Sequence, residues 1–266
     1  LRREFDVAVE AARAAGGVLL EGLGRGGEVR YKGEVDLVTE TDEASERLLK
    51  ERLLGAFPGY GLLAEESGQT AGEGDVRWIV DPLDGTVNFA HGLPVFAVSI
   101  ALQRGREVVL GVVYDPVRDE LFAARRGEGA TLNGKPMSTS RNSELIRALV
   151  ATGFPYDRTE MPEALELFGR FATRTRGMRR LGSSALDLCY VACGRLDGYY
   201  ERGIQAWDVA AGALILEEAG GRVTDYRGGP LDIEGREIVA SNGPLHTAML
   251  EITRGFSGAQ RIRRST

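Results

Sequence analysis

The stretch Trp78-Ile79-Val80-Asp81-Pro82-Leu83-Asp84-Gly85-Thr86-Val87-Asn88-Phe89 runs an apolar strand directly into two aspartates and then into Gly-Thr. Asp81 ends the apolar run, so its charge requires a cation or several donors to offset lost hydration. Pro82 fixes φ and stiffens the turn. In such a turn the Leu83 carbonyl can face the same centre as both carboxylates, an all-oxygen shell suited to Mg²⁺. Gly85 admits a ligand to the backbone. Thr86 is placed to cap a following helical turn whose free amides attract an anion, and its hydroxyl can orient a water. Taken alone, the pattern reads equally as a surface Asp-Gly turn.

Other segments supply what a multi-metal site needs. Leu62-Leu63-Ala64-Glu65-Glu66-Ser67-Gly68 is a second apolar strand end carrying paired acids. Trp207-Asp208-Val209-Ala210-Ala211-Gly212 opens an apolar helix with an acid in its first turn, where a carboxylate caps amides or binds metal. Val35-Asp36-Leu37-Val38-Thr39-Glu40-Thr41-Asp42 precedes a helical pattern from Glu43 to Leu54, and Asp42 reads equally as its N-cap.

These segments together resemble the inositol monophosphatase family, within the metal-dependent, lithium-sensitive phosphatases. Asp36 to Asp42, Ala64 to Ser67, Trp78 to Phe89 and Trp207 to Gly212 look like family motifs in family order. Gly182-Ser183-Ser184-Ala185 and Asp197-Gly198-Tyr199-Tyr200-Glu201 extend the likeness over the chain from Lys32 to Gly221. The resemblance implies an α+β fold, the layered αβαβα sandwich of the sugar phosphatases. One domain is expected over residues 1–266, in two packed halves of about 1–140 and 141–266 with the site between them.

Carried across by resemblance, Glu65, Asp81 and the Leu83 carbonyl would hold one Mg²⁺, and Asp81, Asp84 and Asp208 a second. A weaker third ion would share Glu65. Thr86 and Asp42 resemble the pair that orients the attacking water, and Lys32 matches a lysine near the site. Substrate contacts fall to Asp84, Gly85, Thr86, Ser184, Glu201 and Asp208, with Glu201 like the family glutamate that takes inositol hydroxyls. The reaction implied is hydrolysis of inositol 1-phosphate by metal-activated water, without a covalent phosphoenzyme. Ser184, often alanine in the animal enzymes, and Gly153-Phe154-Pro155, similar to the bacterial branch, leave other polyols open. The alternatives are a fructose-1,6-bisphosphatase or dual-activity sugar phosphatase, a 3′(2′),5′-bisphosphate nucleotidase or a histidinol-phosphatase. From another class comes a transcription-associated RNA-binding or interaction protein. A homodimer is also implied.

Length and composition agree with a globular enzyme. The chain has 266 residues, 43% of them hydrophobic and 27% charged, enough to bury a full core. Its formal charge of −6 argues against a general nucleic-acid-binding surface. Cys189 and Cys193 lie on an apolar helical pattern and read as buried small hydrophobes, since no second cysteine pair and no histidine at finger spacing accompanies them. No apolar run is long enough to span a bilayer and no signal-peptide core opens the chain, so a cytoplasmic protein is expected.

Periodicity predicts an amino-terminal helix from Phe5 to Leu20, then an antiparallel meander of Val95 to Gln103, Glu107 to Tyr114 and Glu120 to Ala124. Asn133-Gly134 marks a hairpin. Beyond it, strands are expected at Ala148 to Thr152, Gly198 to Glu201 and Glu237 to Ala240. Helices are expected at Pro162 to Ala172, Ser183 to Cys193, Ala206 to Ala219 and Pro244 to Ile252, with a basic tail at Arg261-Ile262-Arg263-Arg264.

Overall fold

The computed structural model describes residues 1–23, 29–31 and 37–256. Lys32, Asp36 and the basic tail lie outside the described residues. Helices α1 (Arg2–Gly22), α2 (Glu40–Ala56), α3 (Thr86–Ala90), α4 (Met161–Ala172), α5 (Ser184–Ala192), α6 (Ala206–Glu218) and α7 (His246–Thr253) combine with short and long strands. The strands are β1 (Val29–Tyr31), β2 (Leu37–Thr39), β3 (Gly61–Ala64), β4 (Gly68–Thr70), β5 (Val76–Asp84), β6 (Ala97–Arg104), β7 (Glu107–Asp115) and β8 (Glu120–Arg125). They continue as β9 (Ala130–Leu132), β10 (Lys135–Pro136), β11 (Leu149–Thr152), β12 (Gly177–Arg179), β13 (Gly198–Arg202), β14 (Arg222–Thr224) and β15 (Glu237–Ser241).

Among the described residues, β1 and β2 pair by themselves, an eight-stranded sheet runs β10-β9-β8-β7-β6-β5-β3-β4, and a five-stranded sheet runs β12-β11-β13-β15-β14. The meander from β5 to β8 is antiparallel, as alternating apolar runs with short turns require. Strands β3 and β5 pair in parallel, and β11 is parallel to both β12 and β13.

Helices α1 and α2 cover one face of the larger sheet. Ala8, Ala11, Ala12, Ala15 and Leu19 of α1 and Leu49 and Leu53 of α2 pack there with Trp78, Val80, Ile100 and Val112. Fully burying each of these leucines contributes roughly 1.5–3 kcal/mol. On the opposite face, α5 and α6 share a core with Ile79, Ala97, Ala101 and Val113, and with Tyr199, Ile238 and Ala240 of the smaller sheet. Leu167 and Phe171 of α4 and Met249 and Leu250 of α7 close the far side of that sheet over Val150, Tyr200 and Val239. The layers are therefore helix, sheet, helix, sheet, helix, the expected αβαβα sandwich. Helix α6 is apolar on nearly every side because it is sandwiched between two sheets.

Several boundaries differ from the sequence expectation for identifiable reasons. The run that ends at Asp81 by hydropathy continues as strand to Asp84, with a register break against β6 between the two aspartates that accommodates Pro82. Strand β6 starts at Ala97 rather than Val95, because Asn88 Nδ2 takes the Val95 carbonyl at 2.8 Å. Helix α2 starts at Glu40: Thr39 is its N-cap, and Asp42 is the reciprocal N3 partner of a capping box rather than the cap itself. Cys189 is buried as expected, whereas Cys193 is half-buried at the end of α5. Strands β12 and β14, three residues each and bearing arginines, escape period-two reading because they are short edges.

His246, at the start of α7, is buried between Thr224 and Ser241. Thr224 Oγ1 donates its proton to the Asp225 carbonyl, so towards the ring it accepts. That assigns the neutral Nε2–H tautomer, with Nδ1 accepting from Ser241. Burial, helped by Arg222, pushes the imidazole down to about 4 from 6.5. The unfolded chain binds this proton as pH falls below 6.5 and the native state does not until about 4, so stability drops across that window. Comparing urea unfolding of wild type and His246→Gln between pH 7.5 and 4.5 should show on the order of 2 kcal/mol less pH dependence in the variant. Parallel curves would place the titration elsewhere.

Candidate active site

The parallel pairing of β3 and β5 sets Ala64 against Val80, so the next residues, Glu65 and Asp81, come side by side where that parallel pairing ends. In open sheets of this kind, ligands bind at the carboxyl ends of parallel strands. Helix α2 supports this end from behind. Glu46 accepts from the amides of Glu66 and Ser67 at 2.8 and 2.9 Å, and Ser45 donates to the Pro82 carbonyl at 2.9 Å.

Glu65, Asp81, Leu83, Asp84, Gly85, Thr86, Ser184, Glu201 and Asp208 line one cavity of about 250 Å³ between the larger sheet and the β11–β13 region. Asp42 does not line it. The Asp42 carboxyl is buried behind Thr86, whose Oγ1 lies 3.1 Å from Asp42 Oδ1 and 3.0 Å from the Leu83 carbonyl. The hydroxyl has a single proton for these two acceptors. Asp42 also accepts from the Thr39 amide and hydroxyl. Burial outweighs those bonds and raises its carboxyl above the ordinary range.

Gly85, not Thr86, occupies the N-cap of α3, at φ 102°. A side chain there would meet the Val95 carbonyl at 2.9 Å. Thr86 is thereby free of capping duty and turns its hydroxyl towards Asp42 and Leu83. The Asn88 amide ties α3 to the second half through the Leu181 carbonyl at 2.8 Å.

Helix α5 presents its first turn to Asp84. Ser183 Oγ and the Ala185 amide donate to Asp84 Oδ2 at 2.5 and 2.8 Å, and the Ser184 amide reaches Oδ1 at 3.2 Å. Asp81 Oδ1 accepts from the Leu83 amide at 3.0 Å, and Asp208 Oδ2 from the Gln205 amide at 2.7 Å. Asp208 is thus both an N3 residue of a helix cap and a lining acid of the cavity. For Asp81 and Asp208, no donor among the described residues reaches the other oxygen.

The electrostatics of this group are unfavourable without a cation. Burial, then the charges of Glu65, Asp84 and Asp208, push the Asp81 carboxyl well above its ordinary value. Burial also lifts Asp84 to about 6 and Asp208 well above the usual range. Like charges in one low-dielectric site oppose each other's ionisation unless a cation is shared among them. Arg180 is the arginine on the lining, and it lowers Asp84 only as a minor influence. The donor set is all oxygen, which suits a hard divalent ion. Among the described residues, no three acidic, histidine or cysteine side chains are already drawn into a group that would hold a metal. The chemistry of the donors, rather than their present separation, is what fits Mg²⁺.

On the far wall, Glu201 of β13 receives the Tyr199 hydroxyl and Ser184 Oγ, the latter at 3.1 Å, both on Oε2. Burial raises Glu201 to about 7. A Cβ on Gly153 would stand 2.0 Å from Glu201 Oε1, so glycine at that position is what lets the carboxylate occupy its place. Sequence reasoning did not single out Tyr199, Arg180 or Asp187 for the site. Their signal is spatial, and no motif spacing carries it. Lys32 lies outside the described residues.

The same five-layer α+β sandwich recurs among known proteins, and these give its class. The Inositol monophosphatase family matches over residues 1–256, and the chain belongs to it. The chain is 46% identical to inositol monophosphatase 2 of Solanum lycopersicum, over 92% of this chain and 96% of that one. It is 43% identical to the Nus factor SuhB of Pasteurella multocida strain Pm70, over 89% and 90% of the two chains. The solved structure of the extragenic suppressor protein suhB from Bartonella henselae superposes with a TM-score of 0.91 at 41% identity, covering 95% of this chain and 98% of that one. The protein is a phosphatase. No described helix is long and apolar enough to cross a membrane.

Proposed function

We propose that the chain is a Mg²⁺-dependent phosphate monoesterase that hydrolyses inositol 1-phosphate by attack of water. The observation that carries this reading is the convergence of Glu65, Asp81, Asp84 and Asp208, from three separate stretches of chain, on one cavity that Glu201 closes from the other side. Glu65, Asp81 and the Leu83 carbonyl would hold one ion, Asp81, Asp84 and Asp208 a second, and Glu65 would share a weaker third. When bound, such ions supply an acidified water and neutralise the leaving alkoxide.

The protein's own groups do the rest. Were the Leu83 carbonyl to hold an ion, the Thr86 hydroxyl would donate its hydrogen bond to Asp42 at 3.1 Å, and its oxygen would be left to accept from the attacking water. Amides of Gly85 and Thr86 take nonbridging phosphate oxygens. Glu201 Oε1, which no donor among the described residues reaches, accepts a hydroxyl of the polyol, while Ser184 and Tyr199 hold its partner oxygen. Phosphoryl transfer asks mainly for positioning and charge neutralisation, which accounts for a site rich in carboxylates and without a cysteine or histidine nucleophile.

The test is phosphate release from inositol 1-phosphate, fructose 1,6-bisphosphate, adenosine 3′,5′-bisphosphate and histidinol phosphate, with Mg²⁺ and with excess EDTA. Inositol 1-phosphate is expected to give the highest kcat/KM, EDTA to abolish turnover, and Li⁺ to inhibit it. A preference for another member of the panel would reassign the substrate. Release unaffected by EDTA would remove the metal. The relative named as a Nus factor favours a second reading, binding of RNA or transcription machinery. RNA binding that persists at physiological salt in a protein without phosphatase activity would support that reading instead.

A further inference from the structure

We propose that Asp187 is a further substrate-binding residue, whose carboxylate accepts a hydroxyl of the polyol beside the one taken by Glu201. The inference rests on the phosphatase reading above and assigns the chemistry of its leaving-group side. Asp187 lies in the first turn of α5, three residues beyond Ser184, and is 2% exposed. It lines the same cavity as Glu201 and Asp84. Among the described residues, its Oδ1 has no hydrogen-bond partner and no donor reaches its other oxygen.

An acid in the first turn of a helix is ordinarily explained by the helix dipole. That explanation covers an exposed acid on a free helix end. It does not cover a buried one, because taking a carboxyl out of water without any donor costs more than the dipole returns. Four other acids on the same walls each have at least one protein donor: Asp81 from Leu83, Asp84 from α5, Asp208 from Gln205, Glu201 from Ser184 and Tyr199. Asp187 alone among these has none, so its donors must come from what fills the cavity. A ring bearing adjacent hydroxyls would supply O–H donors held in fixed positions, as a site built to hydrogen-bond a substrate hydroxyl requires. The ligand class is therefore a phosphate ester of a polyhydroxylated ring, in which neighbouring hydroxyls reach Glu201 and Asp187 together.

The test compares wild type, Asp187→Asn and Asp187→Leu on inositol 1-phosphate and on phenyl phosphate, an ester without hydroxyls on its leaving group, with thermal unfolding to check folding. Both variants are expected to lose about 10- to 100-fold in kcat/KM on inositol 1-phosphate, mainly through KM, and to keep wild-type turnover of phenyl phosphate. An equal fall on both esters would assign Asp187 to the general architecture of the site and overturn the proposal, as would variants indistinguishable from wild type. If Leu fails to fold, the Asn variant decides the question by the same two substrates. A wild-type protein that hydrolyses phenyl phosphate but no polyol phosphate would sink the substrate reading itself. An active wild type with indifferent variants would sink only Asp187.

Discussion

Asp81→Asn is expected to abolish phosphate release, by at least about 10³-fold in kcat at saturating Mg²⁺, while raising the stability of the metal-free protein. The two effects share one cause. Asp81 is 2% exposed, and its ionised form is opposed by burial and by Glu65, Asp84 and Asp208. A carboxyl whose native pKa is raised makes the fold less stable as pH climbs from its unfolded value of 3.8 towards the native one. Asparagine cannot ionise and removes that cost, but it also removes the charge that both ions would share. Thermal unfolding at pH 8 without metal should therefore show a higher Tm for the variant, and added Mg²⁺ should raise the Tm of wild type far more than that of the variant. Near-normal turnover by Asp81→Asn would take Asp81 out of the centre of the site.

Thr86→Val is the second large effect expected, about 10²- to 10³-fold in kcat with KM nearly unchanged. Valine fills the space of threonine but has no hydroxyl. It leaves Asp42, buried completely, with donors from Thr39 alone among the described residues, and under the proposed mechanism it would leave the attacking water without an oriented acceptor. Since the proposed substrate contact at Glu201 and the proposed metal carboxylates are untouched, the loss belongs in the chemical step. Steady-state kinetics on inositol 1-phosphate reads this directly. A rise in KM with kcat preserved would make Thr86 a binding residue only.

Much of the architecture is visible in the chain because it depends on local periodicity. The meander, the hairpin at Asn133-Gly134 and the apolar helix after Trp207 are all set by the order of apolar and turn residues. Errors arise where a side chain outside the apolar period, or a neighbouring strand, competes with that period. Asn88 draws Val95 out of β6, the break opposite Ser99 carries β5 past Pro82 to Asp84, and Thr39 takes the cap that the position of Asp42 alone suggests. Edge strands β12 and β14 owe their existence to neighbours, since three polar-flanked residues carry no period of their own.

The sequence by itself determined the residue types of the site and the elements that bear them: acids at the ends of apolar strands and in the first turn of an apolar helix. Those features follow from neighbours within a few residues, where periodicity, capping and turn chemistry act. Only the tertiary structure decided that Glu65 emerges beside Asp81, that α5 spends its first amides on Asp84, that Asp42 lies buried behind the Thr86 hydroxyl, and that Asp187 is buried with no donor among the described residues. Burial and donor supply depend on what packs across a cavity from residues 44 to 101 positions away. No local pattern encodes that distance.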